Sequence, residues 1–268
     1  GVELEKPVGK SHDVTSSAKW IMGRISGFPT KTKASDANGK HDHVRPRTLA
    51  QPLAHAGNRC EDTAMASIDT LFVTRLYRGE IDREDGLLDE IEQACRSLAV
   101  DDAAGLRWCA RHGYPGYTSY ASLDDLPWRF PAFKALVRRL DRHVAAFAKE
   151  LSLDLGGRKL VLDSLWVNVL PQGGSHGSHI HPHSVISGTL YVAMPKGAAA
   201  LKLEDPRHAM MMAHPPRKAS APRELQPYVS VATVPGDLLL WESFVRHEVP
   251  VNRSAEERIS VSFNYRWG

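Results

Sequence analysis

Arg258-Ile259-Ser260-Val261-Ser262-Phe263-Asn264-Tyr265-Arg266-Trp267 alternates polar and apolar side chains without a break. Successive side chains of a strand point to opposite faces, so Arg258, Ser260, Ser262, Asn264 and Arg266 share one face and Ile259, Val261, Phe263, Tyr265 and Trp267 the other. Alternation alone reads as a half-exposed strand with its polar face in water. The alternative is the wall of a barrel whose polar face lines a cavity. Arg258 and Ser260 give the second reading its chemistry, because a guanidinium fork and a neighbouring hydroxyl hold a carboxylate bidentately. An arginine inside a barrel requires an anion, since an unpaired buried charge is costly.

Working back from this strand, the residues after Lys159 read as further strands at 159–170, 187–194, 200–204, 229–234 and 237–241. They are separated by turn signals such as Gly173-Gly174, Pro195-Lys196-Gly197 and Pro235-Gly236. Before them the texture is helical. Leu87, Leu88, Ile91, Ala94, Cys95 and Leu98 fall at helix spacing, which predicts a helix near 83–98. Phe133, Leu136, Val137, Leu140, Val144, Phe147 and Leu151 form an apolar stripe, predicting a helix over 132–151 with Pro131 in its first turn. Ile68–Val73 reads as a short strand, and the long segment from His208 to Gln226 as a lid or insertion. Helices followed by a run of strands, without βαβ alternation, predict a mainly β fold in which helices support an antiparallel barrel or sandwich.

Four of the 13 histidines stand within eight residues, in His176-Gly177-Ser178-His179-Ile180-His181-Pro182-His183. On an extended chain positions i and i+2 share a face, roughly 7 Å apart, so His179 and His181 can converge on one metal ion. His247, which follows the strand ending at Trp241, is the leading third ligand. Imidazoles with open positions suit iron, zinc or copper. Pro182 interrupts strand pairing near His183, and His176 reads as a loop residue or an outer neighbour of the site.

Composition sets outer limits. The chain has 268 residues and a net charge of +3, with 10 basic and 7 acidic residues in positions 1–66 and an even balance beyond. That N-terminal segment is polar and lacks apolar periodicity, so it reads as an irregular arm ahead of a domain spanning 67–268. So small a charge excess speaks against a nucleic-acid partner. Cys60, Cys95 and Cys109 are odd in number and lack CxxC spacing, which excludes a disulfide framework and favours a reducing, cytoplasmic setting. No apolar run is long enough to cross a membrane, and no secretory apolar segment stands near Gly1.

Together, His179-Ile180-His181, His247 and Arg258-Ile259-Ser260 resemble the pattern of the iron(II)- and 2-oxoglutarate-dependent oxygenases: an H-x-D/E pair, a distal His, and R-x-S about ten residues later. More narrowly, Leu71–Thr74, Leu165–Asn168, His179–Ser184, Ser187–Tyr191, Glu204–Arg207 and Arg258–Asn264 are similar to a bacterial and phage group of such enzymes, over residues 68–267. The resemblance implies a double-stranded β-helix, a jelly-roll like that of the cupins. It implies iron(II) with 2-oxoglutarate and O2 as cosubstrates, and hydroxylation of a substrate C–H with release of succinate and CO2. The distal carboxylate of 2-oxoglutarate would pair with Arg258 and Ser260. Asn168 and Tyr191 are further cosubstrate contacts, each with a plain core role as its alternative. Where the family carries a carboxylate, this chain carries His181. Three ligand sets stay open: His179, His181 and His247; two histidines with Glu204 or Asp205; or two histidines and water. A cupin-like three-histidine metalloenzyme without a keto acid and a non-catalytic jelly-roll binding module are the rival readings. The substrate, a small molecule or a peptide, and the oligomeric state are not legible.

Overall fold

The computed structural model describes residues 67–268; the irregular arm expected over residues 1–66 lies outside the described residues. In chain order the elements are β1 (Leu76–Glu80), α1 (Leu87–Asp101), α2 (Ala103–His112), β2 (Tyr117–Thr118), α3 (Leu126–Arg129), α4 (Pro131–Glu150), β3 (Leu160–Leu170), β4 (His176–His179), β5 (Ile186–Ala193), β6 (Leu201–Glu204), β7 (Tyr228–Val231), β8 (Asp237–Glu242), β9 (His247–Val249) and β10 (Arg258–Trp267). Two antiparallel sheets result. One has six strands in the order β1-β8-β5-β10-β3-β2 and the other four in the order β4-β9-β6-β7. These are the two sheets of the expected double-stranded β-helix, with the helices supporting the larger one.

The helices form for the reason their spacing suggests. Phe133, Leu136, Leu140, Val144 and Phe147 of α4 are buried, and so are all six apolar positions singled out in α1. They pack against Ile259, Val261, Phe263 and Tyr265, the apolar face of β10, in the main core. Burying a large apolar side chain contributes about 1.5–3 kcal/mol, and β10 places four in a row. The opposite face of β10 is buried too. Arg258, Ser260 and Asn264 are enclosed and Ser262 is nearly so. The half-exposed strand suggested by alternation alone is therefore wrong: β10 is central, paired with β3 on one side and β5 on the other. Its polar face looks into the space between the sheets, beside a second core of Tyr191, Leu201, Leu203, Val231, Leu239, Trp241 and Val245.

Other differences have local causes. Ile68–Val73 forms no strand, and Leu71, Phe72 and Val73 are exposed. The edge strand is instead β1, held by its register with β8. Helix α2 carries no apolar stripe and buries only Gly105 and Cys109. It starts where Asp102 accepts a hydrogen bond from the Gly105 amide at 3.0 Å and stops at Gly113, in the left-handed region at φ 63°. The 208–226 segment contains two short 3-10 turns and is tied to itself by the Gln226 amide, which donates to the Lys218 and Ala221 carbonyls. Among the described residues no helix is long and apolar enough to cross a membrane.

Candidate metal and anion site

β4 and β9 carry the histidines. They pair antiparallel with His179 directly opposite His247, which brings the two rings to 4.3 Å between centroids. His181 lies two residues beyond the end of β4, outside any strand. Its backbone N–H donates to the Ser243 carbonyl at 3.0 Å, which turns its ring to within 5.0 Å of His179 and 5.2 Å of His247. One ring nitrogen from each of the three lies within 4.8 Å of the others. The Nδ1 atoms of His179 and His247 face the carbonyls of Gly177 and Val245 at 2.7 and 2.9 Å, which leaves Nε2 of each as an open lone pair.

Burial reinforces this. Loss of solvent, then the neighbouring rings, pushes His247 down to about 3 and His181 down to about 4; burial also lowers His179. The rings are neutral at physiological pH and free to bind a cation. Trp241 stands edge-on to His247 at 4.8 Å and Trp166 stands 5.8 Å from His181, so the rings sit against an aromatic backing. The donor set fits a divalent transition metal with positions left open toward the cavity.

The same cavity contains Arg258, which is 1% exposed. Its Nε donates to the Ala199 carbonyl at 3.1 Å and one terminal nitrogen to Ser260 Oγ at 3.0 Å. Neither partner is anionic. Burial works against its charge, opposed only by the tyrosines Tyr191 and Tyr114. A buried cation without an anion costs several kcal/mol, so this group is built for an anionic ligand. Tyr191 lies under the guanidinium at 5.3 Å, fully buried, with a hydroxyl that makes no well-formed hydrogen bond among the described residues. Asn168 also lines the cavity. Its Nδ2 donates to Ser262 Oγ at 3.2 Å and its Oδ1 is buried without a partner. Turned end for end, that amide keeps Ser262 through Oδ1 and presents its N–H groups to the cavity.

The structure thus brings together His179, His181, His247, Arg258, Ser260 and Asn168 around one cavity, while Tyr191 stands behind Arg258 in the second core and does not line it. It does not bring in the alternative carboxylates. Glu204 lies 3.4 Å from His208 and 3.9 Å from Arg246, and Asp205 forms a two-point ion pair with Arg207; neither joins the histidine group. His183 is exposed. His176 stacks on His179 at 4.4 Å, and its Nδ1 lies in hydrogen-bond contact with the Tyr114 hydroxyl at 3.3 Å. Tyr114 also lines the cavity. It comes from the loop after α2, where no periodicity marks it. Asn264 carried a usable signal, the same strand face as Arg258 and Ser260.

Residues 164–264 match a family model described as "Putative 2OG-Fe(II) oxygenase". No curated protein matches the sequence. Among solved structures, the chain is similar to the epimerase SnoN in complex with Fe3+, alpha ketoglutarate and nogalamycin RO. That likeness has 17% identity, covers 72% of this chain and 79% of that one, and has a TM-score of 0.52. HygX from Streptomyces hygroscopicus, with nickel, 2-oxoglutarate and hygromycin B bound, is 14% identical over 72% of this chain and 83% of that one, with a TM-score of 0.49. An oxidoreductase of the 2OG-Fe(II) oxygenase family from Burkholderia pseudomallei is 16% identical. The match spans 47% of this chain but only about half, 53%, of that one, with a TM-score of 0.35. At 17% identity the likeness to SnoN speaks for the fold alone.

Proposed function

We propose, from the match of residues 164–264 to a putative 2OG-Fe(II) oxygenase model, that His179, His181 and His247 hold iron(II), that Arg258 and Ser260 bind the distal carboxylate of 2-oxoglutarate, and that the enzyme hydroxylates a C–H bond of a small molecule or peptide. The observation that carries this reading is Arg258: a buried guanidinium without an anionic partner, in the same cavity as three convergent neutral imidazoles. A cupin-like three-histidine enzyme has no use for such a cation, and a simple binding module has no use for the histidines. Iron(II) bound by these rings supplies oxygen activation coupled to oxidative decarboxylation of the keto acid.

The residues of the chain divide the remaining work. Arg258 fixes one end of the cosubstrate by charge and fork geometry, with its direction set by the Ala199 carbonyl and the Ser260 hydroxyl. Tyr191, buried under the guanidinium, holds Arg258 from the core side. Asn168, with its amide turned, donates to the other end. Trp166 and Trp241 exclude water from the imidazoles, which strengthens every electrostatic contact there. Tyr120 stands edge-on to Trp166 at 5.2 Å and is largely exposed, so the aromatic wall continues outward to the approach of the substrate. A cytoplasmic setting agrees with the two free, buried thiols of Cys95 and Cys109.

The test is succinate production from 2-oxoglutarate by the full chain, aerobically with iron(II) and against a panel of metabolites and peptides. Iron-dependent succinate that rises with one class of compound supports the reading and names the substrate. No succinate above the metal-free background under any condition overturns it.

A further inference from the structure

His181 differs from its two partners in what holds its far nitrogen. A carbonyl only accepts, so His179 and His247, facing Gly177 and Val245, must carry their protons on Nδ1. Nδ1 of His181 instead lies 3.3 Å from Nδ2, the nitrogen end of the Asn264 side-chain amide as placed, and amide ends are assigned from the hydrogen bonds they make. An amide has a donor end and an acceptor end. If nitrogen faces the ring, His181 accepts at Nδ1, carries its proton on Nε2 and offers a cation nothing there. If oxygen faces the ring, the proton sits on Nδ1 and Nε2 is open, as in the other two.

The other contacts of Asn264 accept either orientation. As placed, Oδ1 accepts from Ser187 Oγ at 2.8 Å and Nδ2 donates to Ser164 Oγ at 3.1 Å; turned end for end, Ser164 donates to Oδ1 and Ser187 accepts from Nδ2. Both are hydroxyls, which donate or accept as required. Ser187 Oγ lies 2.8 Å from Ser243 Oγ, where either atom can be the donor, so the exchange passes along the chain without breaking it. Asn264 is 5% exposed and clasped between Ser164 of β3 and Ser187 of β5, its register neighbours, so its amide stays at His181. The Ser243 carbonyl also accepts from the His181 backbone N–H, which holds the residue carrying that ring beside the hydroxyl chain.

We infer that Asn264 turns its carbonyl oxygen to His181 Nδ1–H and thereby sets the tautomer that makes His181 the third metal ligand in a site without a carboxylate. Asn264 is then a positioning residue of the metal centre, and the inference rests on the metal reading above. Outer partners of metal-bound histidines typically account for about 10–100-fold in metal affinity.

The tautomer is read directly by long-range proton–nitrogen NMR on metal-free full-length protein with 15N-histidine, the His181 signals being identified by their loss in His181→Asn. The expected result is a proton on Nδ1 in the wild type and in Asn264→Asp, whose oxygens can only accept. Asn264→Leu, similar in shape, is expected to release the tautomer and weaken Co(II) binding, followed by absorbance, by about 10–100-fold. Asn264→Asp is expected to bind Co(II) at least as tightly as wild type. If Asn264→Leu fails to fold, as circular dichroism would reveal, the wild-type spectrum and the Asp variant still decide. A wild type with the His181 proton on Nε2, an Asp variant that loses Co(II), or a folded Leu variant that binds Co(II) normally overturns the inference. A wild type that binds no Co(II) at all is a different failure, of the metal reading itself.

Discussion

Replacing Arg258 by Met separates ligand binding from folding. The guanidinium is 1% exposed, donates to the Ala199 carbonyl and Ser260 hydroxyl, and has no anionic partner among the described residues. A carboxylate gripped by its free edge gains two charge-assisted hydrogen bonds of about 1.5–3 kcal/mol each. Their loss is about 3–6 kcal/mol, roughly a 10²–10⁴-fold rise in Kd. The folding balance is different. Leaving the Ala199 carbonyl and the Ser260 hydroxyl unpaired costs about 1–3 kcal/mol each. Removing a desolvated, unpaired cation returns several kcal/mol. The metal-free variant should therefore stay within about 2 kcal/mol of wild type in urea unfolding, while calorimetric titration of the anaerobic iron(II) form with 2-oxoglutarate shows the large loss. Arg258→Lys, which keeps the charge and loses the fork, should fall between. Unchanged 2-oxoglutarate affinity in Arg258→Met would refute the reasoning. So would a folding loss larger than the binding loss, which would make Arg258 a structural residue.

Three further outcomes follow from the same geometry. His181→Ala should lower iron content by at least the about 10–100-fold that outer partners account for, whereas Glu204→Gln should leave it unchanged, as metal analysis after gel filtration would report. The metal-free protein should lose stability as pH falls from about 6.5. Unfolded histidines take up protons there, while burial holds His176 and His181 down to about 4 and His247 to about 3. The unfolded state therefore binds more protons between those limits, and stability falls through that window and is flat above it; urea midpoints from pH 8 to 4 check this, and His247→Gln should flatten the slope. Gly188→Ala should destabilise by about 1–3 kcal/mol, because a Cβ there would lie 2.5 Å from Leu240 and Phe263 side-chain atoms; a wild-type melting temperature would count against the packing described.

The sequence revealed most about elements that bury apolar surface. The stripes of α1 and α4 and the strands β3, β5, β8 and β10 are legible because periodicity records which side faces the core. The strands that carry the metal-binding candidates were not. β4 reads His-Gly-Ser-His and β9 has three residues. Their short, polar sequences do not read as strands, and they exist because β4 pairs with β9 and β9 with β6. The HxH spacing suggested one face of one strand; in fact only His179 is in a strand and His181 reaches the group through a bond to Ser243. The polar face of β10 was legible as a pattern and ambiguous as a location, and Arg258 resolved it because a buried guanidinium makes sense only beside an anion. Tyr114, and the hold of Asn264 on His181, depend on contacts between residues distant in sequence, which no local spacing records.

The most direct test of the account is an anaerobic titration of the full chain with iron(II) and 2-oxoglutarate, followed by visible absorbance. The account predicts a weak metal-to-ligand charge-transfer band that needs both components, saturates at equal amounts of cosubstrate and protein, and is lost in His181→Ala. No band in a folded protein that retains iron, or a band that survives in His181→Ala with full iron content, would contradict it.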